Sequence, residues 1–198
     1  MTDTGSSKTT PLYFIAYGWS EGPWHSRKIR KSLEEKGFGH ASTAVDADII
    51  IAHSLGCYLI PRGHRAKVII LIGLPYWPGR PVPLSVLRNT VENIRSSVRD
   101  GSAWWLNKLL HNLWYILVRP SASYDALTQR RLAFLPKARS SQHILLIRNS
   151  DDAFCHPHIE KMLPDDLGYA YLDMAEKLHE DCWLNPDPYV KLIEKYHG

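Results

Sequence analysis

Three residues of this 198-residue chain carry side chains that could together perform nucleophilic catalysis: Ser54, Asp152 and His179. A serine hydroxyl is a weak nucleophile until a base takes its proton, and a histidine can do this near neutral pH. A carboxylate can then fix the tautomer of the histidine and stabilise its protonated form. Because each of the three follows a segment with strand character, we expect them to form a catalytic triad.

Ser54 lies in a sequence context that favours an exposed, reactive hydroxyl. It follows Ile49–Ile51, an apolar β-branched run suited to a buried strand, and precedes Cys57–Ile60, which could begin a helix. The residues two positions before and after it, Ala52 and Gly56, are small. A strand, a small-x-Ser-x-small turn and a helix are typical of a nucleophile elbow. Taken alone, these residues also fit an ordinary turn after a strand.

The rest of the chain alternates between strand-like and helix-like segments. Buried strands are predicted at 12–17, 47–52, 66–73, 143–147 and 168–172, with room for one short strand near 40–45. Helices are predicted at 24–36, 84–99, 104–118, 124–135, 156–163 and 187–196. This alternation predicts an α/β fold: three layers, with a mostly parallel sheet of about five to six strands flanked by helices. In such sheets, functional groups gather beyond the carboxyl ends of the strands.

The partners of Ser54 leave alternatives open. Asp151 and Asp152 both follow the strand predicted at 143–147, and His156 and His158 lie close enough in sequence to replace His179 as the base. An oxyanion hole also needs two backbone N–H groups. We expect these from Leu55, the residue after the nucleophile, and from Trp19 in the glycine-containing loop 18–22, which we call the oxyanion loop.

With these motifs the chain resembles the small α/β-hydrolases of the retinoblastoma-binding-protein-9 and YdeN-like group. The matching features are the Gly18-Trp19 pair, the sequence AHSLG at 52–56, SDDAF at 150–154 and a late His179 before an apolar helix. The resemblance implies a serine hydrolase on a reduced α/β-hydrolase fold. It also implies that the second aspartate, Asp152, is the catalytic carboxylate rather than Asp151.

A helical insert separates the strand after the elbow from the aspartate. In hydrolases of this kind such a segment often forms a lid, here predicted at about 75–139. Its helix at 104–118 is apolar around most of its circumference, so that one face can pack on the sheet and the surplus must cover something else. Trp105 and Trp114 are candidate substrate-pocket residues. The alternatives are a homodimer contact, a peripheral membrane contact, or burial of the whole helix in the core.

Composition limits the classes of function. Residues 1–10 are polar and are expected to be a disordered lead-in to a single domain at 11–198, without a signal-peptide pattern. Three cysteines without a CxxC pair favour reduced thiols in a cytoplasmic protein, and no metal or other cofactor is expected. The net charge of +4 comes with no nucleic-acid-binding motif, so nucleic acid is not an expected partner.

Together these features favour a carboxylesterase-like enzyme. We expect it to cleave a small-molecule ester or thioester, with an apolar acyl group, through an acyl-enzyme on Ser54. The alternative is a catalytically silent member of the same fold that uses its tryptophan-rich lid as a binding surface.

Overall fold

The computed structural model describes residues 10–76, 88, 90–92, 94–95, 98–99, 104–118, 120 and 135–197. The predicted lead-in and the predicted helix at 124–135 lie outside these residues, apart from residues 10 and 135. Much of the predicted lid insert lies outside them as well. The described positions between 88 and 99 are helical, as the predicted helix at 84–99 requires.

Six strands form one sheet in which every neighbouring pair is parallel. The strands are β1 (Leu12–Ala16), β2 (Gly39–His40), β3 (Ile49–His53), β4 (Val68–Ile72), β5 (His143–Asn149) and β6 (Tyr169–Met174). Their order across the sheet is β2-β1-β3-β4-β5-β6. The predicted fold class and strand number are therefore confirmed, and β2 is the short strand expected near 40–45.

Four α-helices have both of their ends in the described part of the chain: α1 (Arg27–Glu35), α2 (Trp104–Val118), α3 (Asp181–Leu184) and α4 (Asp187–His197). The short helix α3 was not predicted. Short 3-10 helices cover Ser54–Tyr58, Ile159–Lys161 and Asp165–Leu167.

Two predictions of helix were wrong. The run Cys57–Ile60 begins no α-helix, because the chain after Ser54 makes one 3-10 turn that ends at Tyr58. The segment 156–163 contains only the 3-10 turn Ile159–Lys161. In both places a proline follows, at 61 and 164, and a proline disfavours helical backbone at the residue before it.

The central strands are buried on both faces, which explains their continuous apolar sequences. On one face Ile49 and Ile51 pack with α1, α3 and α4. On the other face Ile50 and Ala52 pack with residues of the 3-10 helices and the loops around them. Because successive residues of a strand point to opposite faces, both sets of side chains must be apolar.

The chain reverses its direction of travel across the sheet between β1 and β3. It passes from β1 outward to β2, returns over β1 to β3, and then proceeds through β4 and β5 to β6. Loops that leave β1 and β3 at their carboxyl ends therefore diverge, and such a switch point is where open α/β sheets bind their ligands. The oxyanion loop follows β1 and Ser54 follows β3, so both begin at this crevice.

Candidate active site

Ser54 has the strained backbone of a tight strand-to-helix turn. It follows the last residue of β3 directly and has a φ of 54°, a left-handed conformation that non-glycine residues rarely adopt. Gly56 explains why the flanking positions must be small. A Cβ at Gly56 would lie 2.1 Å from the carbonyl oxygen of Ala16, at the end of β1. The turn therefore packs against the neighbouring strand end.

Asp152 and His179 are brought together in the interior, although 26 residues separate them in the chain. The Nδ1 atom of His179 lies 2.8 Å from Oδ2 of Asp152, and both side chains are buried. The other carboxylate oxygen, Oδ1, accepts hydrogen bonds from the backbone N–H groups of Phe154 and Cys155, at 2.7 and 3.3 Å. Burial acts to raise the pKa of Asp152, but the His179 ring and these hydrogen bonds hold it below its usual value.

The alternative site residues lie elsewhere. Asp151 is exposed, and its backbone N–H donates to the carbonyl of Lys177. His156 accepts a hydrogen bond at Nδ1 from the backbone of His158, whose own side chain is 65% exposed. Among the candidate aspartates and histidines of the triad, Asp152 and His179 are therefore the pair that the structure brings into contact.

Gly73 gives the Asp152–His179 pair the space that it occupies. This glycine follows β4 and has a φ of 59°. A Cβ at this position would lie 2.9 Å from Oδ2 of Asp152 and 3.0 Å from Nδ1 of His179. A larger residue would therefore disturb the hydrogen bond between the two side chains and would also strain the backbone.

The loop that carries His179 is held through its backbone carbonyl groups. Asn149, the last residue of β5, donates from Nδ2 to the carbonyl of Leu178 at 2.8 Å, and Oδ1 of Asn149 accepts from the Tyr189 hydroxyl. The carbonyl of His179 itself lies 2.8 Å from Nε2 of His53. These contacts fix the histidine's backbone as well as its ring.

The oxyanion loop lies directly against the serine. A Cβ at Gly18 would be 2.8 Å from the Cβ of Ser54, so only glycine fits there without displacing the serine. The Gly18 N–H donates to Oε2 of Glu21 at 2.7 Å, which closes the loop on itself. Trp19 is the next residue of this loop, and Leu55 is the residue after Ser54 in the 3-10 turn. Both predicted N–H donors therefore belong to segments that border Ser54.

A buried cluster of charged side chains lies behind these loops. Oε1 of Glu21 is 2.7 Å from Nδ1 of His53 and accepts from the indole N–H of Trp183 at 3.0 Å. Lys108 of α2 extends into the cluster, where its Nζ is 3.8 Å from Oε1 of Glu21 and 3.4 Å from Oε1 of Glu180. The sequence analysis did not identify either Glu21 or His53 as a member of a buried charge cluster.

The directions of the pKa shifts of His53 and Glu21 agree with an ion pair between these two residues. Burial opposes a charge on His53, yet its pKa is well above the usual value because the Cys182 sulfur and the Glu21 carboxylate face the ring. Burial raises the pKa of Cys182 to about 11, so its sulfur is a neutral thiol at pH 7. Glu21 therefore supplies the countercharge. Although burial acts to raise the pKa of Glu21 itself, the charge of His53 holds it well below the usual value.

The same cluster contains three potential metal ligands, one atom each from Glu21, His53 and Glu180, all within 4.8 Å of one another. The ammonium of Lys108 lies between the two carboxylates and supplies a positive charge there. A metal ion would have to displace this ammonium.

Helix α2 turns a polar face toward the oxyanion loop. Along this face, Lys108 reaches Glu21, Asn112 accepts a hydrogen bond from the Ser20 hydroxyl at 2.7 Å, and the Tyr115 ring lies 6.0 Å from that of Trp19. Leu109 is half-buried, whereas seven apolar residues of α2 are exposed instead: Leu106, Leu110, Leu113, Trp114, Ile116, Leu117 and Val118. The alternative of burial in the core was therefore wrong for this helix. Trp114 is 63% exposed, and the side chain of Trp105 lies outside the described residues.

Comparison with known proteins identifies the fold. No family model and no curated protein matches this chain. Among solved structures, an α/β-hydrolase enzyme from a sediment metagenome of the Mar Chica lagoon, Morocco, superposes with a TM-score of 0.54 at 15% identity, covering 95% of this chain and 90% of its own. The fold is that of the α/β-hydrolases.

Two further solved structures with this fold belong to proteins that are named for different reactions. One belongs to a study of carboxylesterases from Nitrososphaera gargenis, with a TM-score of 0.58 at 11% identity, covering 94% of this chain and 89% of the other. The other is epoxide hydrolase VrEH1 from Vigna radiata, with a TM-score of 0.54 at 10% identity, covering 95% and 91%. The fold therefore leaves the reaction open, and the residues of the site must support it. In the described part of the chain, no helix combines the length and apolarity that crossing a membrane requires.

Proposed function

We propose that this protein is a serine hydrolase that cleaves carboxylic esters or thioesters. The observation that carries the proposal is the buried hydrogen bond between Asp152 and His179, together with the contact of His179 with His53, the residue that directly precedes the strained Ser54. A carboxylate that accepts from Nδ1–H leaves Nε2 of the histidine unprotonated and able to accept the serine proton. The α/β-hydrolase fold, whose structural neighbours include named hydrolases, supports the same reaction class.

The reaction proceeds in two stages. As Oγ of Ser54 attacks the acyl carbon, its proton passes to Nε2 of His179, and the new imidazolium is stabilised by Asp152. His179 then gives the proton to the leaving alcohol or thiol as that bond breaks, which leaves an acyl-enzyme. In the second stage, water loses a proton to His179 and attacks the acyl carbon. The carboxylic acid departs, and Ser54 regains its proton.

The oxyanion of each tetrahedral intermediate needs hydrogen-bond donors that are already in place. We assign this role to the backbone N–H groups of Leu55 and Trp19. The contact of Gly18 with Ser54 supports this assignment, because it brings the Trp19 segment beside the nucleophile. Removal of one oxyanion-hole donor typically costs about 3 to 4 kcal/mol of transition-state stabilisation.

We propose an apolar acyl group for the substrate. Support for this comes from the exposed apolar residues of α2, Trp114 among them, which form an apolar surface on the side of the helix that faces away from the oxyanion loop. The same surface would suit a homodimer or a peripheral membrane contact. A chain-length series of p-nitrophenyl esters tests this assignment. Trp114→Ala should change the preferred chain length, and an unchanged preference would remove Trp114 from the acyl site.

Labelling by a fluorophosphonate probe tests the proposed nucleophile. The probe should label the wild-type protein, and Ser54→Ala should abolish the label. Ser42→Ala is the matched control, since Ser42 is exposed and distant in sequence from all the proposed site residues. This control should be labelled at the wild-type rate. A folded wild-type protein that resists the probe, under conditions that label a control hydrolase, would contradict the proposed reaction.

The second candidate is a catalytically silent protein that binds a partner through α2. The outward apolar face of this helix favours it, because an exposed surface of this kind on a folded protein often marks an interaction site. The probe separates the two candidates, since a binding protein with an inactive site would resist labelling before and after Ser54→Ala.

A further inference from the structure

Glu21 connects the two halves of the proposed active site, one through each of its carboxylate oxygens. The residue lies in the oxyanion loop, but its side chain is almost completely buried, at 2% exposure. Burial of a carboxylate carries a large desolvation cost unless charged partners and hydrogen bonds offset it. Four such partners surround Glu21, and two of them lead directly to the residues that would perform the reaction.

Through Oε2, Glu21 holds the backbone of the oxyanion loop. The Gly18 N–H donates to this oxygen at 2.7 Å, and Gly18 is the residue that packs against Ser54. A charged acceptor makes this hydrogen bond shorter and stronger than a neutral one would. The position of the loop, and with it the amide of Trp19, therefore depends on the orientation of the Glu21 side chain.

Through Oε1, Glu21 holds the histidine that supports the base. Nδ1 of His53 lies 2.7 Å from this oxygen, and Nε2 of the same ring lies 2.8 Å from the carbonyl oxygen of His179. A carbonyl only accepts hydrogen bonds, so Nε2 must carry a proton. Because Nδ1 faces a carboxylate, it carries a proton too, and His53 donates on both sides.

Two anionic and two cationic side chains meet in this cluster of the described structure. The two carboxylates, Glu21 and Glu180, are matched by the His53 imidazolium and the Lys108 ammonium. Trp183 adds a neutral N–H donor to Oε1 of Glu21. The balance allows Glu21 to remain ionised in the interior, where its two oxygens can hold separate elements.

We propose that Glu21 is a positioning residue for the hydrolytic reaction, which sets the oxyanion loop through Gly18 and the base His179 through the ring of His53. The proposal rests on the proposed function, because it concerns the geometry of the same serine, histidine and oxyanion hole. Glu21 touches none of the reacting atoms itself. Its effect is to keep two loops, which leave different strands, in a fixed relation to Ser54.

Glu21→Gln tests the proposal, since it preserves the shape of the side chain and removes its charge. A glutamine cannot accept from Gly18, His53 and Trp183 with the single oxygen of its amide. We expect kcat for a p-nitrophenyl ester to fall about 100-fold, as for a small misplacement of catalytic groups, while KM changes less than about threefold. Glu180→Gln is the matched control, because it removes a charge from the same cluster, while the described structure shows no hydrogen bond from the Glu180 side chain to Gly18 or His53. It should keep the wild-type kcat.

A spectroscopic measurement separates this proposal from the hydrolase proposal. The His179 proton that bonds to Asp152 should give a low-field proton NMR signal in the wild-type protein and in Glu180→Gln. This signal should be broadened or shifted in Glu21→Gln. A wild-type protein that resists the fluorophosphonate probe, yet shows this pattern, would overturn the hydrolase proposal while confirming that Glu21 controls the position of His179.

Two results would overturn the positioning role. One is a folded Glu21→Gln variant with the wild-type kcat and an unchanged low-field signal. The other is an equal loss of kcat in Glu21→Gln and Glu180→Gln, which would mark a general effect of disturbing the cluster. If Glu21→Gln does not fold, His53→Gln serves as the second variant. It should lower kcat with little change in KM, and an unchanged kcat would overturn the role.

Discussion

Replacement of Asp152 by asparagine should abolish most of the esterase activity, because the hydrogen bonds around this side chain would force the asparagine amide to donate to His179. Oδ1 of Asp152 accepts from two backbone N–H groups, those of Phe154 and Cys155. An asparagine must keep its amide oxygen at that position, because an NH₂ group would face two donors. Its NH₂ group would then take the place of Oδ2, which lies 2.8 Å from Nδ1 of His179.

The consequence is a change of tautomer. Nδ1 of His179 would have to accept a hydrogen bond, which moves the ring proton to Nε2 and leaves no acceptor for the proton of Ser54. The same substitution in a characterised triad lowers kcat about 10⁴-fold, which corresponds to about 5 kcal/mol of transition-state stabilisation. We expect a loss of this size for Asp152→Asn.

The assay is hydrolysis of a p-nitrophenyl ester by purified variants, with folding checked by circular dichroism. Asp151→Asn is the matched control, since Asp151 is adjacent in sequence but exposed, and it should stay within about twofold of wild type, as is usual for surface positions. A folded Asp152→Asn variant within tenfold of wild type, or an equal loss in Asp151→Asn, would refute the assignment of the carboxylate.

Three further predictions concern the surroundings of the site. Gly73→Ala should lower the free energy of unfolding by about 1 to 2 kcal/mol, because alanine disfavours the left-handed backbone at this position. It should also lower kcat in ester assays, because the new Cβ would displace the buried Asp152–His179 pair. Gly63 has open space around it, so Gly63→Ala should change neither the urea unfolding curve nor kcat. Lys108→Met should cost about 3 to 5 kcal/mol in urea unfolding, because it removes the charged partner of the buried Glu180 carboxylate. Lys31→Met on the surface should cost less than about 0.5 kcal/mol, and equal costs would contradict the charge cluster. Because the pKa of His53 is raised on folding, its contribution to stability is complete below the unfolded pKa of about 6.5 and is lost as pH rises through the folded value. The stability difference between wild type and His53→Gln should therefore shrink toward alkaline pH, and a constant difference would contradict the charge on His53.

The central strands could be predicted because each one is marked by a run of neighbouring apolar residues in the sequence. Runs such as Ile49–Ile51 and His143–Ile147 are apolar at consecutive positions, which is the pattern of strands buried on both faces. Helix α2 was predicted with its observed ends, Trp104 and Val118. The order of strands around β2 could not be predicted, because the two residues Gly39–His40 that pair with β1 carry no strand pattern of their own.

The orientation of α2 shows where pattern reasoning fails. Its many apolar residues predicted an apolar contact with the sheet, but the face toward the oxyanion loop presents Lys108, Asn112 and Tyr115. These three residues are four and three positions apart, so the sequence alone places them on one face of the helix. What the sequence lacked was the identity of the partner, because Glu21 and Ser20 lie more than 80 residues away in the chain.

The roles of Glu21 and His53 beside the candidate site could not be predicted from the sequence for a similar reason. A glutamate between two glycines is typical of an exposed loop, and a histidine after a strand is typical of a turn. Their burial became evident only once β1 and β3 were adjacent, with Trp183 from α3 beside them. The proposed serine, aspartate and histidine were easier to identify, because each one follows a recognisable strand.

Trapping of the acyl-enzyme tests the central proposal most directly. Wild-type protein is mixed with p-nitrophenyl butyrate, quenched in acid and digested, and the mass of each peptide is measured. We predict one butyryl group per chain, attached to Ser54, and none in Ser54→Ala. A wild-type protein that hydrolyses the ester while the acyl group is found on another residue, or that acquires no acyl group and shows no turnover, would contradict the assignment of Ser54 as the nucleophile.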